Sequence, residues 1–129
     1  MPSDFPLEAY NGIHAHVGPL QPRFPDAYRH NAGAWNAVAI RFRSAAEADD
    51  LFQSSLNEPN SVEQGFRQEV ALFQFFTNSV SVLDSCAYAL HALGNLIDAA
   101  AFPLTGQSLR TADFRGVPNL LKNGFLPTH

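Results

Sequence analysis

"SVEQGFRQEVALFQFFTNSVSVLDSCAYALHALGNLIDAA", residues 61–100, decides how this chain folds. Its apolar residues recur at Phe66, Val70, Phe73, Phe76, Val80, Leu83, Ala87, Leu90, Leu93 and Ile97, and every step is three or four. That is the helical period, close to a heptad. It predicts a long helix laid at a shallow angle along a neighbour. Ser61 followed by Gln64 reads as a capping box, with the hydroxyl capping forward and the amide reaching back. A run to Ala100 would be about 58 Å long at 1.5 Å per residue. Such length favours a kink, with "TNS" at 77–79 the weakest point and Gly94 a second soft spot.

A second pattern lies on the same helix. Asp84, Tyr88, His91, Asn95 and Asp98 are spaced four, three, four, three. At 100° per residue they fall within roughly 80° of arc, away from Leu83, Cys86, Leu90, Leu93 and Ile97. Such a stripe is either a solvated face or one wall of a cleft. In a cleft, His91 becomes a candidate acid, base or ligand, with Tyr88 and Asn95 adjacent to it and Asp84 two turns away. A neighbouring flank of Asn78, Ser81, Ser85 and Ala92 is small enough to admit another helix closely, although serines also bond back to their own helix.

Working outward, residues 26–56 carry Trp35, Val38, Phe42, Ala45, Phe52 and Leu56 at mostly helical steps. Asp26 is the candidate cap, and Arg43 and Glu47 are set to pair at i, i+4. "NEPNS" at 57–61 stops this helix. Residues 1–25 hold Pro2, Pro6, Pro19, Pro22 and Pro25, five of the nine prolines. They predict an extended arm lying across the core through Phe5, Leu7, Tyr10, Ile13 and Val17. After Pro103 the chain reads as loop with one turn. "VPNLLKNG" at 117–124 reads as a short helix, with Pro118 in its first turn and Gly124 at its stop.

The fold class expected is therefore all-α: an antiparallel hairpin of two long helices, with a short C-terminal helix and an extended proline-rich N-terminal arm. Residues 1–25 are the arm, and residues 26–129 a helical domain resembling an incomplete bundle. A chain of 129 residues suits one domain with one core. The formal charge is −4, with eight cationic side chains scattered along the chain, which disfavours non-specific nucleic-acid binding. The single cysteine, Cys86, permits no internal disulfide and points to a reducing, cytoplasmic setting. His91, Asn95 and Asp98 interrupt the most apolar run, so no spanning helix is expected.

Two long helices leave an apolar face open, so the first functional expectation is a non-catalytic module. Its expected partner is a second copy, giving a four-helix dimer, or another helical protein. The eleven phenylalanines, four of them clustered at 66–76, favour such an interface. The alternative is a small helical-bundle enzyme or RNA-processing nuclease of toxin-like type, with His91 as acid or base and Arg29, His30 or Arg41 as substrate contacts. A third reading is an apolar ligand pocket between the helices, lined by Trp35, Phe73, Phe76 and Leu83. No cofactor is expected. "HAH" at 14–16 puts two imidazoles on one side of an extended segment, a weak metal signal, and no metal site is assigned.

Overall fold

The computed structural model describes residues 5–113 and 115–117. In chain order the helices are α1 (Leu7–Val17), α2 (Pro25–Ser55), α3 (Val62–Ile97) and α4 (Gly106–Arg110), with a 3₁₀ turn at Gly18–Leu20 after α1. No strand occurs among the described residues. The helix expected at 117–124 lies outside the described residues beyond Val117.

The two long helices form an antiparallel hairpin. At the closed end Gln64 Nε2 donates to the Ser55 carbonyl at 2.7 Å and to the Glu58 carbonyl at 3.0 Å. At the open end Asn31 Nδ2 donates to the Ala89 carbonyl at 3.0 Å. The forward half of the capping box is present, since Ser61 Oγ accepts from the Gln64 amide at 3.0 Å. The glutamine side chain does not reach back to Ser61; it ties the turn to the end of α2 instead. Arg43 and Glu47 pair at 3.0 Å as expected. Asp26 does not cap α2, whose first turn starts at Pro25.

α3 runs unbroken for 36 residues, about 54 Å. The polar "TNS" turn does not interrupt it. Asn78, Ser79 and Ser81 donate to the carbonyls of Gln74, Phe75 and Thr77, so their polar groups are satisfied within the helix.

The face that α3 turns inward differs from the one its period suggested. The buried residues of α3 are Gln64, Ala71, Ala87, Ala89, His91, Ala92 and Gly94. Those of α2 include Ala27, Asn31, Val38, Ala39, Ala45 and Ala48. Small side chains let two helix axes approach, and a phenylalanine at the same place would hold them apart. Many of the large apolar residues of α3 point outward: Phe66 is 65% exposed, Phe73 71%, Phe76 61%, Leu83 52% and Ile97 76%, whereas Phe75, Val82, Leu93 and Leu96 are half-buried. By length and composition α3 is also apolar enough to cross a membrane, with mean hydropathy 1.2 over its richest window.

The N-terminal arm is also not extended. Pro6 precedes α1 and Pro19 follows it, so both prolines bracket an 11-residue helix instead of preventing one. Glu8 in its first turn and His14 and His16 in its last complement the helix dipole. α1 docks on α2 through aromatic contacts. Tyr10 stacks on Trp35 with ring centroids 5.4 Å apart, and Trp35 Nε1 donates to the Tyr10 carbonyl at 3.2 Å. Buried Phe5 meets Phe42 edge to face. Leu7 and Ile13, expected on the core, are exposed.

Beyond α3, residues 98–117 fold back over its C-terminal half. Asp98 Oδ1 accepts from the amides of Ala100 and Ala101, which turns the chain. Phe102 then lies flat against Gly94, where a Cβ would meet its ring at 2.7 Å. Gly94→Ala is expected to lower stability by roughly 1–2 kcal/mol, the overpacking outweighing the gain in helix propensity. Gly33→Ala, in open space on α2, is expected to raise it by about 0.5–1 kcal/mol. Urea unfolding followed by circular dichroism reads both.

Candidate functional site

The polar stripe divides: His91 and Asn95 lie under the fold-back segment, whereas Asp84 and Tyr88 line an open depression and Asp98 is exposed. His91 is fully buried, and its Nε2 donates to the Pro103 carbonyl at 2.9 Å. Asn95 Nδ2 donates to the Phe102 carbonyl, also at 2.9 Å. With Asp98 holding the turn, three members of the stripe bind the backbone of residues 98–103. They satisfy peptide groups that a fold-back segment without helix or strand would otherwise leave unpaired. Donation from Nε2 fixes the imidazole in the Nε2–H tautomer, and leaves Nδ1 buried without a partner. Ser108 Oγ lies 3.5 Å from Nε2.

Tyr88 and Asp84 stand apart from this clasp. The Tyr88 hydroxyl is 2.9 Å from His30 Nδ1 on α2, and its ring packs beside Ala87, Ala112 and Val117. Together with Asp84, Ser85, Arg110 and Asp113, Tyr88 lines a shallow, open depression. A phenol and an imidazole in contact can pass a proton between them. His91 does not reach this depression, and the arginines named with it do not converge there either: Arg29 pairs with Asp26 at 3.8 Å and Arg41 is exposed. In helical α1, His14 and His16 lie roughly 200° apart around the axis, not on one side. No group of three or more His, Cys, Asp or Glu side chains is placed to hold a metal among the described residues.

The residues named for an apolar pocket are also split. Trp35 belongs to the α1 contact. Phe73 and Phe76, with Thr77, Val80 and Ser81, line a shallow apolar depression on the outer face of α3. Leu83 continues that face, half exposed. Sequence reasoning missed Asn31, 2% exposed and bonded across the hairpin; nothing in its local pattern marks it. The near-heptad period read in the sequence lies on this outer face and not on the seam with α2. Phe66, Phe73 and Val80 form one row, and Phe76, Leu83, Leu90 and Ile97 the other. Seven-residue rows drift by only about 20° per repeat on a straight helix, so each remains one ridge.

The first row continues as Ala87 and Gly94. There the side chains become small and the chain's own segment covers them: Ala112 and Val117 on Ala87, Phe102 on Gly94. The first row is thus covered over its second half, and over its first half no described residue covers it; the second row stays exposed at Leu90 and Ile97. No protein-family model matches the chain, and no curated protein or solved structure is similar to it.

His91→Leu is expected to leave the Pro103 carbonyl unpaired and cost about 1–3 kcal/mol, whereas Tyr88→Phe, losing a partly exposed bond, costs about 1 kcal/mol. Urea titration separates the two. Burial pushes the Cys86 thiol up from its ordinary value. Less of it is thiolate at neutral pH, so iodoacetamide is expected to label Cys86 in the folded chain more slowly than in urea.

Proposed function

We propose that this chain is a non-catalytic helical module that associates with itself through the outer face of α3. The observation that carries this is the bare heptad ridge: large apolar side chains in two seven-residue rows, a pattern that buries itself against another helix of like pattern. Phe66, Phe73, Phe76, Val80, Leu83, Leu90 and Ile97 together expose on the order of 800 Å², the area each partner gives to an interface of standard size. From Phe66 to Ile97 the only Asp, Glu, Lys or Arg residues are Arg67, Glu69 and Asp84. The ridge therefore offers little for a charged partner such as nucleic acid to recognise. The fully buried His91 supports a structural rather than a catalytic part for the stripe.

Light scattering on the purified chain is expected to give a mass of two chains. Phe73→Glu with Phe76→Glu is expected to give one chain with unchanged helix content, because both side chains are exposed and their loss leaves the hairpin seam intact. A wild-type monomer overturns the proposal, as does a chain that is monomeric in solution and floats with phosphatidylcholine vesicles.

A further inference from the structure

We infer that the second copy lies antiparallel on the first, with Phe76 of each chain facing Val80 of the other and Phe73 facing Leu83. This rests on the self-association proposed above and adds its direction and register.

Direction follows from where residues 98–117 sit. They cover Ala87, His91 and Gly94, in line with the ridge formed by Phe66, Phe73 and Val80. Two parallel chains in register would bring both fold-back segments to the same level of the seam. The two segments would meet there and hold the helices apart. Two antiparallel chains place them at opposite ends, and each segment then reaches the other chain's first α3 turns. Those turns present two exposed apolar side chains, Val62 at 93% and Phe66 at 65%, beside the Glu63–Arg67 ion pair.

Register follows from the depression on the ridge. Its lining includes Phe73, Phe76, Thr77 and Val80, which are positions i, i+3, i+4 and i+7. Four residues so spaced form the hole that receives one side chain of a facing helix in coiled-coil packing. Among the described residues no side chain fills this hole, and Val80 on its edge is a knob of suitable kind. A two-fold axis at the level of Asn78 puts Val80 of each copy into the hole of the other, as a self-complementary interface requires. The same axis pairs Phe73 with Leu83 and Phe66 with Leu90, joining large exposed residues to one another. Glu69, the charged position in these rows, falls at the level of Ala87, which Ala112 and Val117 cover, so it meets the fold-back segment and not the centre of the seam.

Disulfide trapping tests this in a Cys86→Ser background under mild oxidation. In the inferred register, Phe73 of one copy and Phe73 of the other are ten residues apart along the axis, about 15 Å, beyond the reach of a disulfide. Phe73→Cys alone and Leu83→Cys alone are therefore expected to stay uncrosslinked. The double variant is expected to become a covalent dimer in most of the sample. Crosslinking by Phe73→Cys alone means parallel chains; it overturns the register and leaves self-association standing. A dimeric mass with no trapping in any variant overturns the register as well. A monomeric mass for the Cys86→Ser chain overturns both proposals. Circular dichroism confirms that each variant is folded, as the exposure of the substituted residues leads one to expect.

Discussion

The close approach of α2 and α3 through alanine governs the rest of the molecule. Ala39, Ala45 and Ala48 on one helix and Ala71, Ala89 and Ala92 on the other are buried, and they let the backbones come together. At those positions the seam favours small side chains, with Phe75, Leu93 and Leu96 half-buried along its edge. Each helix seats other large side chains elsewhere. On α2, Trp35 and Phe42 meet Tyr10 and Phe5 of the N-terminal segment, whereas Ile40 and Leu51 are exposed. On the second half of α3 the outward face receives residues 98–117. On its first half nothing in the described chain covers it.

This arrangement gives the polar stripe its meaning. A helix face cannot be covered by irregular chain unless the peptide groups of that chain find partners. His91, Asn95 and Asp98 supply them, at positions spaced so that each meets the next stretch of backbone. Residues of the types found in active sites serve here to hold a segment in place. Asn31 and Gln64 do similar work between the long helices, one at each end of the hairpin. The buried polar side chains of this molecule thus mark where its pieces are joined.

Much of the fold was legible in the sequence. Helical periodicity located both long helices to within about three residues, and the breaker at 57–61 located the turn between them. The orientation of α3 was not legible, because pattern reading assigns the largest apolar residues to the core. Close helix packing reverses that rule, and the flank of Asn78, Ser81, Ser85 and Ala92 was its visible sign. The five prolines concealed α1: their number suggested an extended arm, whereas their positions leave the stretch between Pro6 and Pro19 free to coil. As for the site, the spacing showed that Tyr88, His91, Asn95 and Asp98 share a face. What that face binds depends on residues 98–117, whose path no local pattern specifies.

The tie at the closed end of the hairpin also bears on the order in which the chain assembles. Gln64 joins carbonyls only six and nine residues away, so it closes a small loop at little entropic cost. Asn31 and Ala89 are 58 residues apart, and bringing them together from an open chain would be far dearer. Once Gln64 has fastened the turn, each successive alanine pair shortens the gap to the next. Loop closure is thus cheapest at the bend, and the hairpin's contacts grow longer in sequence from there toward its free ends.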